Sequence, residues 1–85
     1  MSYSSEKLQL IWEKGVPIPK CHTDMWRKDE FGSCMKRDKY GNRESVYGWE
    51  VDHIKSVKDG GSDDLSNLQP LQWKNNAFKE GWDSV

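Results

Sequence analysis

The most constraining feature of this sequence is a succession of four short segments between residues 47 and 80. Residues 47–54 alternate in the manner of a strand, with Trp49, Val51 and His53 on one face and the intervening side chains on the other. Residues 58–64 (KDGGSDD) predict a turn or loop, and apolar character resumes over residues 65–71. Pro70 suits the first turn of a helix that runs to about Glu80, with Gly81 beyond it. The predicted order is therefore strand, loop, strand, helix.

The preceding half of the chain predicts a helix and an irregular leader. Ser4 or Ser5 is a good N-cap for a helix that ends near Lys14, and a stripe of Leu8, Ile11 and Trp12 gives it one apolar face. Residues 16–19 (VPIP) favour an extended connector, because proline and the residue before it both disfavour a helix. A short strand is expected within residues 31–37, followed by a turn over residues 38–42.

The composition limits the core of such a chain. Hydrophobic residues make up 34% of 85 residues, the mean hydropathy is −1.00, and the net charge is only −1. Five tryptophans supply apolar bulk that the aliphatic residues lack, and we expect Trp12, Trp49 and Trp73 to anchor the core. We therefore predict a single α+β domain, in which residues 1–44 form the N-terminal helix and leader and residues 45–82 form the core.

Polar residues that could carry chemistry lie at the end of the first predicted strand, after the loop and on the predicted helix. Asp52 and His53 end the first strand, Asn67 follows fourteen residues after the histidine, and Asn76 nine residues later on the helix. A neutral imidazole can take a proton from water near neutral pH, and carboxylate and amide oxygens can hold a hard cation. Each residue also has a structural interpretation: a strand-end pair that bonds a loop, a turn cap, and an exposed helix residue.

The sequence resembles the HNH endonuclease family in its His-Asn-Asn form. The resemblance is carried by residues 48–54 (GWEVDHI), 60–71 (GGSDDLSNLQPL) and 73–76 (WKNN) with Lys79, and less closely by residues 26–32 (WRKDEFG) and 40–43 (YGNR). It implies the ββα-metal (His-Me finger) motif, with His53 as general base and Asp52 as first metal ligand. It further implies that Asn67 fixes the loop that follows the histidine and that Asn76 is the final metal ligand.

The ligand set predicts the kind of metal. An aspartate and an asparagine amide offer hard oxygens, so we expect one divalent ion, Mg²⁺ or Mn²⁺, with Glu80 as a further candidate ligand one helical turn past Asn76. Many relatives bind a structural zinc through CxxC pairs. Their downstream pair positions are Gln72 and Asn75 in this chain and an upstream pair is lacking, so structural zinc is not expected. Because neighbouring strand residues point to opposite faces, Asp52 and His53 can serve one site only where the strand ends, twists or bulges.

These expectations combine into a metal-dependent endonuclease acting on DNA, most readily double-stranded DNA, with low specificity or nicking activity. Candidate phosphate contacts are Arg43, Lys55, Lys58 and Arg27. The alternatives are a non-catalytic DNA-binding or assembly module of phage type that keeps the fold, and a toxin-type nuclease domain with an inhibitor partner. We expect no membrane association and a cytoplasmic location, because neither a membrane-spanning segment nor a signal-peptide pattern is found, and no protein partner is indicated.

Overall fold

The computed structural model describes residues 3–81, so residue 82, the predicted end of the core, lies outside the described residues. The first helix, α1, spans Ser5–Trp12. The Ser4 hydroxyl caps it by accepting a hydrogen bond of 3.1 Å from the amide of Lys7. Its buried face carries Ile11 and Trp12. The predicted helix is thus present, ending two residues earlier than expected.

The leader forms a small antiparallel sheet of three short strands. They are β1 (Val16–Pro17), β2 (Trp26–Lys28) and β3 (Cys34–Lys36), in the order β1-β2-β3. The strand expected within residues 31–37 is β3. The sequence analysis missed β2, because three residues that pair on both sides show too little alternation to be read as a strand.

The second half forms a two-stranded antiparallel sheet followed by a helix. Strand β4 (Trp49–His53) pairs with β5 (Leu68–Gln72), and the register runs from Trp49 opposite Gln72 to His53 opposite Leu68. Helix α2 spans Trp73–Lys79. The prediction that Pro70 opens this helix is wrong, because Pro70 lies inside β5 opposite Val51. An edge strand tolerates proline, whose missing N–H interrupts no neighbouring ladder on its open side.

The connection between β4 and β5 is compact. It contains two 3₁₀ turns, Val57–Asp59 and Leu65–Asn67. Gly60 closes the first turn with a φ of 92°, a conformation that favours glycine. At Gly61 a Cβ would lie 1.8 Å from the carbonyl oxygen of Lys55, so only glycine permits this approach. The Gly60-Gly61 pair therefore brings the far side of the loop back against the end of β4.

One cluster of the core joins three fully buried side chains, Trp12, Met35 and Trp49, with Leu8 packed against them. Ile11, Leu68 and Leu71 are also fully buried. The rings of Trp12 and Trp49 lie 5.1 Å apart between centroids. Trp73 does not join this core as expected. It opens α2 beside the loop before β4, where it is half-buried and its indole N–H donates to the Ser45 carbonyl at 2.9 Å.

The architecture is a small α+β domain with two helices and two antiparallel sheets across residues 3–81, and it is compatible with the fold that the resemblance implies. Neither helix in this range has the length and apolar character needed to cross a bilayer.

Candidate functional site

The end of β4 brings two of the candidate residues to one cavity. Asp52 and His53 are the last residues of the strand, and the register of β4 with β5 is continuous up to His53. A cavity of about 280 Å³ lies against them. It is lined by Asp52, His53, Ser56, Val57, Lys79 and Glu80. Termination of the strand, without a bulge, therefore lets two neighbouring residues with opposite pleat directions face the same space.

His53 is held by an acidic side chain that the sequence analysis did not single out. Its Nε2 lies 2.5 Å from Oδ1 of Asp63. An ionised carboxylate only accepts hydrogen bonds, so the neutral ring must carry its proton on Nε2. Within residues 3–81 no hydrogen bond to Nδ1 is found, which leaves that nitrogen as an available base. The feature of the sequence that could have indicated Asp63 is its position in the acidic pair that ends the 58–64 loop.

Asn67 closes the loop that follows His53. Its Oδ1 accepts a hydrogen bond from the Lys55 amide at 2.8 Å, and its Nδ2 donates to the carbonyls of Lys55 and Ser62 at 2.9 and 2.8 Å. The Asn67 carbonyl also accepts from the amide of Ile54 at 2.8 Å. This side chain joins the first residues after β4 to the stretch just before β5, and its contacts are with the loop rather than with the cavity.

Asp52 is almost fully buried, with 4% of its surface exposed, and it forms an ion pair with α2. Its Oδ2 lies 2.7 Å from Nζ of Lys79 and accepts a further bond from Gln69 at 2.9 Å. Lys79 also donates to the carbonyls of His53 and Ile54 at 3.2 Å. Lys79 therefore neutralises Asp52 and holds the end of β4, a role that its position three residues after Asn76 did not reveal.

Asn76 is buried and leaves one polar atom without a partner. Its Nδ2 donates to Oε1 of Glu50 at 2.9 Å, while its Oδ1 has no hydrogen-bond partner among the described residues. Glu50 in turn forms a two-bond pair with the Arg43 guanidinium at 2.7 and 2.8 Å. This pairing with Arg43, assisted by the Asn76 bond, lowers the pKa of Glu50 against the opposing effect of its burial. The same bond raises the pKa of Arg43.

The donor set can be tested for a cation. In the part of the chain that the structure describes, no group of three or more His, Cys, Asp or Glu side chains is arranged to hold a metal. The oxygens that remain are the Asp52 carboxylate, the unpaired Oδ1 of Asn76, and Glu80 on the cavity wall. An orphaned buried amide oxygen is a suitable ligand for a hard cation. The chemistry of these oxygens suits a divalent ion, but only Asp52 and Glu80 of the three line the cavity, and Asp52 is paired with Lys79.

A separate polar cluster lies at the start of α2 around Asp29. Asp29 is 2% exposed, and its Oδ2 accepts from the Gln72 amide at 3.0 Å and from Nδ2 of Asn75 at 2.8 Å. Its Oδ1 accepts from the amides of Phe31 and Ser33 at 3.0 and 2.9 Å. Gln72 and Asn75 are the two positions that the sequence analysis compared with a zinc-binding CxxC pair. In this chain they are joined through a carboxylate to the loop between β2 and β3.

The basic candidates divide into two groups. Lys55 and Lys58 line a groove of about 680 Å³. Lys79 and Glu80 line both this groove and the cavity at His53. The Arg43 guanidinium is paired with Glu50, and Arg27 donates to the carbonyls of Thr23, Glu13 and Gly15. The structure therefore brings the two lysines together beside the cavity and engages both arginines in contacts within the chain.

A family model described as HNH endonuclease matches residues 32–76, which is more than half of the 85-residue chain. The match runs from the loop before β3 to Asn76. It includes Asp52, His53 and Asn67 and excludes α1. Comparison with curated proteins gives no match, and comparison with solved structures gives none either.

Proposed function

This chain belongs to the HNH endonuclease family, and from that premise we propose that it is a metal-dependent nuclease that hydrolyses phosphodiester bonds in DNA. The observation that carries the proposal is the placement of His53. Its Nε2 is bound to Asp63, its Nδ1 has no partner within residues 3–81, and it shares a cavity with the buried carboxylate of Asp52. A base and a cation-binding carboxylate on one cavity are what hydrolysis of a phosphodiester requires.

In this mechanism His53 acts as the general base. Its Nδ1 takes a proton from a water molecule, and the water oxygen attacks phosphorus in line with the departing 3′ oxygen. The P–O3′ bond breaks, and the leaving oxygen takes a proton from solvent, which gives the 3′-hydroxyl and 5′-phosphate ends that family membership implies. Asn67 keeps the loop behind His53 closed, so that the imidazole stays at the cavity.

The divalent ion belongs to the same proposal. Asp52 and Asn76 would hold it, with Glu80 as a third candidate, and its chemistry there is to polarise the phosphate and to neutralise charge on the leaving oxygen. Oxygen donors favour Mg²⁺ or Mn²⁺ over zinc. Asp52 must exchange its bond to Lys79 for this ion, and Lys79 keeps two carbonyl acceptors at the end of β4 when it does.

The groove beside the cavity supports double-stranded DNA as substrate. Lys55, Lys58 and Lys79 line this groove, and so do the acidic residues Asp59 and Glu80. Lysine contacts to phosphates supply affinity without reading bases, so we propose cleavage or nicking of low sequence specificity with strong dependence on salt.

A plasmid assay tests the proposal. Supercoiled DNA is incubated with Mg²⁺, Mn²⁺, Zn²⁺ or EDTA, using the wild type, His53→Ala, and Lys20→Ala as a control at an exposed lysine away from the cavity. We expect relaxation of the supercoiled plasmid with Mg²⁺ or Mn²⁺ and none with EDTA. His53→Ala should lower the rate about 10²–10⁴-fold, whereas Lys20→Ala should keep the wild-type rate. Undiminished activity of a folded His53→Ala would contradict the assignment of the base, and activity with zinc alone would contradict the ligand set.

A second candidate is a DNA-binding module without catalysis. The observation that favours it is the ion pair of 2.7 Å between Lys79 and Asp52, which already satisfies the carboxylate that a cation would need. Binding of labelled duplex DNA with no cleavage in any of the metals would support this candidate over the nuclease.

A further inference from the structure

We propose that Asp63 is a positioning residue for His53, and that α1 holds Asp63 in place through Lys7. The inference rests on the proposed function, because it assigns a partner to the base of that reaction. It also gives α1 a role, although this helix lies outside residues 32–76 that the family model matches.

The contact with Asp63 determines the tautomer of His53. A neutral imidazole has one nitrogen that donates and one that accepts, and the bond made by one nitrogen decides the state of the other. The carboxylate of Asp63, 2.5 Å from Nε2, requires the proton on that nitrogen. Nδ1 then carries the lone pair. Without Asp63 the ring could place its proton on Nδ1, which moves the lone pair to Nε2, and it could rotate about χ2, which moves Nδ1 out of place.

Asp63 is itself held by a lysine of α1. Its carbonyl oxygen accepts a hydrogen bond of 2.6 Å from Nζ of Lys7, in the first turn of α1. Lys14, just past the end of α1, donates to the carbonyls of Leu65 and Leu68, the latter at 2.8 Å. Lys7 therefore binds the backbone of Asp63, and Lys14 binds the backbone of the segment that follows it.

Lys7 makes a further contact at the start of the chain. Lys7 also lies over the ring of Tyr3, with Nζ 5.7 Å from the centroid. Burial raises the pKa of the Tyr3 phenol, and the negative charge of Asp63 raises it further. Lys7 thus joins Tyr3, at the start of the chain, to the backbone of the loop residue that reaches His53.

The neighbouring acid provides a matched control. Asp64 follows Asp63 on the same loop, is exposed, and makes no side-chain capping bond to the turn that follows it. Asp63→Asn and Asp64→Asn therefore remove one charge from adjacent positions, and only the first touches the histidine. In Asp63→Asn the amide NH₂ can donate to Nε2, which favours the tautomer with the proton on Nδ1.

The test is single-turnover cleavage of a plasmid by folded variants, with the affinity for duplex DNA measured separately. We expect Asp63→Ala and Asp63→Asn to lower the rate constant by about 10–100-fold, with DNA affinity unchanged within about twofold. Lys7→Met should lower the rate constant in the same direction by a smaller factor, while Asp64→Asn and Lys20→Met should leave it unchanged.

Nitrogen NMR of His53, at a pH where the ring is neutral, supplies a readout that a merely structural role would not move. The wild type and Asp64→Asn should show the proton on Nε2, whereas Asp63→Ala should show a mixture of tautomers. His53→Ala separates the two proposals. If it stays active the proposed base is wrong. If it is inactive while Asp63→Ala keeps both the wild-type rate and the wild-type tautomer, the role of Asp63 is overturned.

Discussion

Replacement of Asp29 should destabilise this domain more than any other change of a single acidic residue. The carboxylate accepts hydrogen bonds from the amides of Phe31, Ser33 and Gln72 and from the side chain of Asn75. These bonds attach the loop between β2 and β3 to the first residues of α2. Among residues 3–81, the acceptor found for the buried Gln72 amide in this cluster is Oδ2 of Asp29.

The magnitude follows from what each donor can do once Asp29→Ala removes the acceptor. The Gln72 amide is buried and would be left unsatisfied, at a cost of about 1–3 kcal/mol. Nearer the surface, the amides of Phe31 and Ser33 can turn to water, and Asn75 keeps its bond to the Ser33 hydroxyl. Burial of the Asp29 carboxylate is itself unfavourable, and Asp29→Ala removes that cost. This gain offsets part of the lost hydrogen bonding, so we expect the free energy of unfolding to fall by about 2–4 kcal/mol.

That loss is large for a chain of 85 residues, whose total stability is expected to be about 4–13 kcal/mol. It corresponds to a fall of about 10–30 °C in Tm. Asp29→Asn should lose a similar amount, because one end of the amide would point its NH₂ at N–H donors. Asp24→Ala removes an exposed carboxylate and serves as the control. Urea unfolding followed by tryptophan fluorescence measures all three variants.

Two outcomes would refute this reasoning. If Asp29→Ala and Asp29→Asn both lie within about 0.5 kcal/mol of the wild type, the cluster does not hold the helix in place. If Asp29→Asn keeps wild-type stability while Asp29→Ala does not, the volume of the side chain is what stabilises the junction, and its acceptor atoms are not needed.

Three further outcomes are expected. Asn67→Ala should slow DNA cleavage while leaving Mn²⁺ affinity in calorimetry unchanged, because its contacts are with the loop and not with the cation ligands; a matching loss of metal affinity would contradict this division. Since Arg43 lowers the pKa of Glu50, Glu50 stabilises the fold above its unfolded-state pKa, and that stability is lost as the pH falls through the lower folded-state pKa. Arg43→Gln should therefore weaken the acid dependence of urea stability between about pH 3 and 6, and an unchanged dependence would show that the pair is not formed in solution. Trp49→Ala should cost about 3–5 kcal/mol in urea unfolding, and Trp73→Ala should cost less because that ring is half-buried; equal losses would mean that both rings serve one core.

Strong local signals made several elements predictable. The Ser4 cap and the apolar stripe locate α1, and the alternation around Trp49 locates β4. The Gly60-Gly61 pair marks the loop, because only glycine fits where that loop passes the Lys55 carbonyl. Elements with weak local preference were missed or shifted. Three-residue β2 exists through its partners on both sides, and the edge position of β5 made Pro70 acceptable inside a strand.

The candidate site shows the same division. Spacing and resemblance pointed to Asp52, His53, Asn67 and Asn76 as a group. Residues whose role depends on approach across the fold could not be predicted in this way. Lys79 contacts Asp52 across α2 and β4, and Lys7 reaches Asp63 from the other end of the chain. The pairing of Arg43 with Glu50 likewise depends on the close approach of a turn to β4, which no periodicity encodes.

The carboxylate cluster at the start of α2 has a consequence for how this protein matures. The acceptor atoms that join the loop between β2 and β3 to the start of α2 belong to Asp29, a residue of the chain itself, so these bonds need no metal ligand. Its two cysteines, Cys21 and Cys34, are free, and Cys34 lines a cavity together with Ser33, Gln72 and Asn75 of the cluster. Under the proposed function, folding and binding of the catalytic ion are then separate events. A chelator would then silence the protein reversibly and leave it folded, ready to be reactivated by the ion alone.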